Sequence, residues 1–513
     1  MTITNKQAPR LGWNFAAGVA STAWTAIVTI CTVPLYLHYL GVEAYGLIGF
    51  YTALQAMFAV LDLGLSQSIN REVARAHSED ELARARDLLH TLALGYWAVA
   101  VAIAVGMWAA APWISRHWLS ASIDTDTLSN VIALMGLTVA CRFPLSLYLG
   151  ALMGARRMGL ASAIEIIMVT IANLGVAGIL AMVSPTLEAF FYWQALVAVG
   201  NVLIVRAFAW RAVKQPGSRS PRLDLIDVQR IWRFSAGLAV TSLTAVVFLQ
   251  SDKVILSKIV PLTDLGRYTL AWIAARSLYV LTAPTFSAIY PQMSALHAHG
   301  LLQEIAHLYR SGTRLLMAVI FPAAMFLVMF STIIFTFWTG DAKLAKSLSV
   351  VVAFLVLGTA LNSAMHFPYA LQLAFGKSNL PMIINTLLLF VFSPLVIFLS
   401  VRFGIAGAAA AWAILNLLYL FLGTWLTHRY MLPGISLQWL GGDVGLPLLI
   451  SLTVVGGGGL MLQALSLPPF ATVAVGMMLA GVAFAATFWL TPNLADFVRQ
   501  TFGWHPQLFS AKA

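Results

Sequence analysis

Apolar residues gather in blocks of about 20 or more, the length of helix that crosses a hydrocarbon core. Polar residues gather between the blocks. The pattern predicts membrane-spanning helices near 12–38, 46–69, 90–113, 130–153, 159–183 and 188–210, then near 233–260, 268–292, 312–338, 348–373, 380–403 and 405–427, with two more near 445–465 and 469–491. The first block follows Lys6 and Arg10. It exceeds the length of a signal-peptide core and lacks a cleavage pattern, so it reads as a retained span. Two polar stretches carry helical periodicity of their own. Ser78 and Glu81 form a capping box ahead of Leu82, Ala85 and Leu89. Leu301, Ile305 and Leu308 share one face. Both predict short amphipathic helices at the membrane surface.

Composition supports the pattern: 60% of the 513 residues are hydrophobic and 10% charged, with a mean hydropathy of +0.85. Soluble domains carry about a quarter charged residues, so a soluble enzyme or a disordered scaffold is disfavoured. The net charge of +11 would suit nucleic acid, but its placement points elsewhere. Twenty-one of the thirty Lys and Arg, including Arg71, Arg84, Arg156, Arg157, Arg310 and Arg314, fall on the side of the N-terminus. Six fall on the other side, and Arg142, Lys253 and Arg276 fall inside spans. Positive residues concentrate on the cytoplasmic side of membrane proteins, which puts both termini in the cytoplasm and leaves no reason to invoke a nucleic-acid partner. The longest outer loop, Ser115 to Asn130, is too short for a separate domain. Cys31 and Cys141 lie in apolar blocks and read as packing residues, without a disulfide framework or a Cys-based metal site.

An internal repeat organises the spans. Trp13, Phe15, Ala17, Gly18, Ala20, Thr22, Thr25, Ala26, Val28 and Leu37 recur 219 positions later as Trp232, Phe234, Ala236, Gly237, Ala239, Thr241, Thr244, Ala245, Val247 and Leu256. Six spans separate the copies, so they run the same way across the bilayer. Parallel six-span repeats are a transporter architecture. The fold class expected is an all-α polytopic membrane protein of about 14 helices. Residues 1–215 form an N-terminal lobe (spans 1–6) and 216–430 a C-terminal lobe (spans 7–12), with two additional spans and a cytoplasmic tail in 431–513. Gly456 to Gly459 in the tail suit close helix packing.

A charge near the middle of a span costs about 2.5–3.5 kcal/mol on insertion scales and normally faces a cavity or a partner. Arg142, Lys253 and Arg276 are therefore candidate contacts for an anionic substrate, phosphate in particular, which matches their charged donors. Asp62, Asp252 and Glu165 are candidates for ion coupling or for structural ion pairs, and His366 reads as a packing residue. A hairpin of the seventh and eighth spans would let Arg276 reach Asp252 while Lys253 projects elsewhere. Pro34, Pro144, Pro284, Pro322, Pro368 and Pro394 can bend their helices. Gly376-Lys377-Ser378 imitates the end of a P-loop, but Leu371 stands where the earlier glycine is required. No metalloprotease, serine-hydrolase or metal-spaced motif is present, so the expectation is a transporter with no cofactor, and proton or sodium coupling as its candidate drive.

The stretch from Pro34 to Ala76, P-L-Y-L-H-Y-L-G-V-E-A-Y-G-L-I-G-F followed by L-D-L-G-L-S-Q-S-I-N-R-E-V-A-R-A, resembles the opening of Wzx-type polysaccharide flippases of the MOP (MATE-like) superfamily. Gln250 to Leu256, with Leu265-Gly266-Arg267-Tyr268, resembles the start of that family's second lobe, and Phe403 to Ala408 its twelfth span. The resemblance implies two MATE-like lobes in the bacterial inner membrane. It also implies movement of an undecaprenyl-diphosphate-linked oligosaccharide, such as an O-antigen unit, from the cytoplasmic to the outer leaflet. Polysaccharide polymerase and chain-length machinery are the partners it suggests. Cationic cavity residues are the family's phosphate contacts, which maps onto Arg142, Lys253 and Arg276. Relatives that flip the peptidoglycan precursor carry arginine in the first span, and the 12–38 span has none. A cation-coupled drug or metabolite exporter is the alternative. A membrane polymerase or ligase is disfavoured by the short outer loops.

Overall fold

The computed structural model describes residues 8–76, 78–214, 220–223, 250–377, 379–465, 467–491 and 494. Among them the regular structure is helical, with no strand, and ten helices are long and apolar enough to cross a membrane. Residues up to Gly266 form one compact unit and those from Arg267 a second. The lobe boundary expected at 215 adjoins 215–219 and 224–249, which lie outside the described residues, as do the repeat positions Trp232 to Val247.

In the first unit, α1 (Ala8–Ala59) runs through two expected spans without a polar loop. It breaks at Gly41, where φ is 80°, a backbone state that glycine reaches without a Cβ penalty. A 3₁₀ turn, Val60–Asp62, follows, and Leu63 and Gly64 both take positive φ. The second span therefore stops near Asp62 rather than at 69. Residues from Leu65 start α2 (Leu65–Arg75), a short helix that buries Ser68, Ile69 and Val73. It crosses α4 (Thr125–Gly154) closely. A Cβ at Gly150 would overlap the Ser66 carbonyl and one at Gly154 the Asn70 carbonyl, so this pair of glycines four residues apart lets the two backbones meet.

The capping box is present: the Glu81 amide donates to Ser78 Oγ at 3.2 Å and the Ser78 amide to Glu81 Oε2 at 3.1 Å. It does not open a separate surface helix. Nothing after Leu82 breaks the helix, and α3 (Glu79–Trp113) continues into the membrane, with Ala85, Leu88 and Leu89 buried. A π turn, Ile114–Trp118, follows. The unit is completed by α5 (Met158–Met182) and α6 (Leu187–Val213). The helical stretch 250–259 also belongs to it: Trp118 Nε1 donates to Ser257 Oγ at 3.0 Å, and the Lys258 ammonium donates to the His117 carbonyl. The Leu262 amide donates to the Ser120 carbonyl at 2.9 Å. That residue opens α7 (Leu262–Ser277).

The span expected at 268–292 is divided at Leu278 between α7 and α8 (Tyr279–Ala298). Neither is among the ten long apolar helices. The surface helix expected at Leu301 is the first turns of α9 (Leu302–Thr339), a second case of a polar stretch continuing without a breaker into a span. The second unit goes on with α10 (Ala342–Ala364), α11 (His366–Ala374) and α12 (Asn379–Met431). Like α1, α12 joins two expected spans through one glycine, Gly404, with φ 57°. The last two are α13 (Ser436–Ala464), interrupted by π turns, and α14 (Pro469–Trp489). Met325, Ile450, Val455 and Ala483 form a buried cluster that fastens α13 and α14 to α9. The glycine run takes the packing role expected of it: a Cβ at Gly458 would meet Leu479 and one at Gly459 would meet Met329. Large apolar side chains such as Trp108, Phe390 and Met478 stand about 70% exposed, as lipid-facing residues do.

Candidate functional site

Within the first unit, α1, α4, α5 and α6 surround a cavity of about 460 Å³, in the size range of ligand sites. Arg142 of α4 and Glu165 of α5 both line it. Ser21 Oγ donates to Glu165 Oε2 at 2.7 Å, and Trp24 Nε1 donates to Thr170 Oγ1 at 2.8 Å. The Tyr36 hydroxyl donates towards Asn173, 3.2 Å from both its backbone and its side-chain oxygen. These bonds hold α1 against α5 and fix the cavity's polar wall. Thr25 Oγ1, Tyr51 Oη and Gln55 Nε2 also belong to residues lining the cavity, and all three atoms are buried without a well-formed hydrogen bond. A search confined to charged residues misses them. The signal that finds them is a stripe of polar residues four apart on an otherwise apolar helix: Ser21, Thr25 and Thr29, then Tyr51 and Gln55.

The remaining candidates sit elsewhere. Asp62, at the end of the 3₁₀ turn, accepts from three hydroxyls: Tyr96 at 2.6 Å, Ser66 at 2.7 Å and Ser146 at 3.0 Å. Tyr96 in turn stacks on Phe143 at 4.6 Å. This carboxylate ties α1, α2, α3 and α4 together at one point. Asp252 and Lys253 are buried, with Lys253 Nζ 3.5 Å from Asp252 Oδ1. The expectation that Lys253 projects away from Asp252 is therefore wrong, because the long lysine stem folds back to its neighbour. Arg276, in the second unit, is exposed, with its guanidinium 5.6 Å from the centre of the Trp272 ring, a cation–π distance. His366 is half-buried among Tyr279 and Phe286.

One charged cluster escaped the sequence reading. Asp443, with a fully buried side chain, accepts from Arg310 Nε at 2.8 Å and from Arg314 Nε at 3.0 Å. Gln438 Oε1 accepts from the same Arg310 at 3.2 Å. Nearby, Tyr309 Oη lies 2.7 Å from His428 Nε2, and Trp439 Nε1 donates to Thr313 Oγ1 at 3.1 Å. The partners are more than a hundred residues apart, so no local motif announces them. Among the described residues no group of three or more His, Cys, Asp or Glu is placed to hold a metal ion.

Long apolar helices, four of which enclose a cavity with a polar wall, define a multi-pass membrane protein. A solved structure of the lipid II flippase MurJ in an inward closed conformation matches with a TM-score of 0.70 and 12% identity, covering 94% of this chain and 99% of that one. An inward-facing multidrug MATE transporter of the MOP superfamily matches with a TM-score of 0.66 and 12% identity, covering 79% and 94%. Identities this low establish the fold alone. A Shigella flexneri protein named as an O-antigen transporter is 21% identical over 411 residues, 79% of this chain and 95% of the relative. The polysaccharide biosynthesis protein family model matches residues 11–297. The chain belongs to that family, and it is a multi-pass protein of the inner membrane.

Proposed function

We propose that this protein flips undecaprenyl-diphosphate-linked oligosaccharide units from the cytoplasmic to the outer leaflet for surface polysaccharide biosynthesis. The observation that carries the reading is a cavity of mixed lining with a buried hydrogen-bonding wall inside a chain of the polysaccharide biosynthesis family. A soluble headgroup needs such a path, while the polyprenyl tail stays in lipid. Fourteen spans with both termini cytoplasmic make the two repeats parallel, and alternating access follows from two such lobes. Arg142, Lys253 and Arg276 are the cationic contacts for the substrate. Arg276 has the first claim on the diphosphate, because Lys253 already lies beside Asp252 and Arg142 shares its cavity with Glu165. Asp62, Asp252 and Glu165 are the carboxylates through which a proton or sodium gradient would act, and polymerase and chain-length proteins would take up the product.

Reconstitution into vesicles with a defined lipid-linked glycan, followed by accessibility of that glycan to a membrane-impermeant probe, tests the reading. Flipping that depends on the protein and weakens in Arg276→Ala supports it. Absence of flipping, with export of a cationic drug instead, would overturn it in favour of a drug exporter.

A further inference from the structure

We infer that the cavity of the first unit is a saccharide subsite, built for a sugar ring of the transported glycan and not for its diphosphate. The inference rests on the flippase reading above and specifies which part of the substrate this cavity takes. Charge decides against phosphate. Among the described residues lining the cavity, Arg142 and Glu165 are the only ones of charged type, and their formal charges cancel. A diphosphate would bring its negative charges beside the Glu165 carboxylate in a partly desolvated space, where unmatched charge is costly.

Hydroxyl chemistry fits instead. Thr25 Oγ1, Tyr51 Oη and Gln55 Nε2 are buried and none makes a well-formed hydrogen bond within the protein; the Tyr51 hydroxyl has the side chains of Gln55 and Thr138 as polar neighbours. Buried polar atoms normally find partners, so three in one wall mark a surface that offers its polar groups to a ligand. Two of the three are hydroxyls that donate and accept, and the third is an amide that donates. Sugar hydroxyls also do both. The opposite charges extend this match: Arg142 presents donors and Glu165 an acceptor across the same space. Apolar side chains, Met168 and Phe190 among them, supply the rest of the lining and suit the C–H face of a pyranose. The volume of about 460 Å³ accommodates a mono- or disaccharide and excludes a longer glycan, so one end of the oligosaccharide would be read here.

The test uses the full chain in detergent micelles and saturation-transfer NMR. The probe is the oligosaccharide released from the host's own lipid-linked pool by mild acid, which carries neither phosphate nor lipid. Wild type is expected to transfer saturation to the sugar ring protons. Affinity should fall about five- to tenfold in Tyr51→Phe and in Gln55→Leu, each of which removes one hydrogen bond. Ala172→Phe, which fills the cavity without deleting a polar group, should abolish the signal. Should that variant misfold, the other two still carry the test. Inorganic pyrophosphate should not displace the sugar. No transfer to wild type, equal binding by all folded variants, or displacement by pyrophosphate overturns the inference. Vesicle flipping by wild type, measured in parallel, separates the two levels: flipping without sugar binding sinks the subsite alone, and no flipping sinks the functional reading.

Discussion

Gly46 of α1 and Gly266 of α7 meet at a backbone-to-backbone crossing inside the first unit. A Cβ built on Gly46 would lie 3.0 Å from the Leu262 carbonyl carbon, closer still to its oxygen, and 3.1 Å from the Gly266 nitrogen. A Cβ on Gly266 would lie 3.0 Å from the Gly46 nitrogen and closer still to the Val42 carbonyl oxygen. The obstacles are backbone atoms, so no side-chain rotation relieves them. Ordinary contact begins at 3.4 Å, and the helices must part to reach it. Overpacking of this kind costs about 1–3 kcal/mol, so Gly46→Ala and Gly266→Ala should each destabilise by that amount. The same separation of helices makes room for both methyl groups. The double variant should therefore cost less than the sum of the singles, by more than the ~0.5 kcal/mol within which independent sites add. Gly95→Ala is the control, since a Cβ there meets nothing within 4 Å.

Denaturant titration of the purified protein in mixed micelles measures all four variants. On the proposed topology the crossing lies at the outer face, next to the bonds from Trp118 and Lys258 to Ser257 and His117. Loosening it should also lower glycan flipping in vesicles. If Gly46→Ala proves as stable as Gly95→Ala, or if the two substitutions add strictly, the crossing is not as close as described and the reasoning fails.

Other substitutions probe the charged and capped positions. Asp443→Ala leaves the Arg310 and Arg314 guanidiniums facing one another. It should cost about 2–3 kcal/mol in the same titration, less than the 3–5 kcal/mol of a fully buried pair, because the Arg310 side chain is 32% exposed; a cost under 1 kcal/mol would show the cluster to be solvated. Asp62→Ala removes the acceptor for three hydroxyls and should destabilise by at least ~2 kcal/mol. Asp62→Asn keeps one acceptor oxygen and should recover part of that loss, and flipping by Asp62→Asn that keeps its dependence on a gradient would remove Asp62 from coupling. Ser78→Ala deletes the cap and should cost about 0.5–2 kcal/mol, seen as faster amide exchange confined to the first turn of α3.

The helices were legible wherever apolar length decided them, and the misreadings share a cause. A pattern of apolar and polar blocks needs a polar gap to end a span, whereas Gly41 and Gly404 end one with a single residue of positive φ. The same gap was expected to hold the stretches after Ser78 and Leu301 at the surface. Both stretches, the first capped at Ser78 and the second without a side-chain cap, simply continue into the bilayer. At Leu63 the chain takes φ 50°, which no rule for leucine anticipates, so the start of α2 was invisible. The repeat was readable as identity. Gly46 and Gly266 stand 220 apart, one more than the offset of the matched segment, and nothing in the repeat announces that they touch.

The site was legible to the extent that charge defined it. Arg142 and Glu165 both line one cavity, so the cationic contact expected of Arg142 shares its space with a carboxylate. Glu165 lines the same cavity as Arg142, and Asp252 lies beside Lys253. Charge in an apolar environment is too costly to stand alone. A tally of intramembrane lysines and arginines therefore overstates the field that a substrate meets. The uncharged groups carry more information here. Thr25, Tyr51 and Gln55 carry no charge, so a charge-based search passes over them. Once folded into a wall without partners, they define which chemistry the cavity is complementary to.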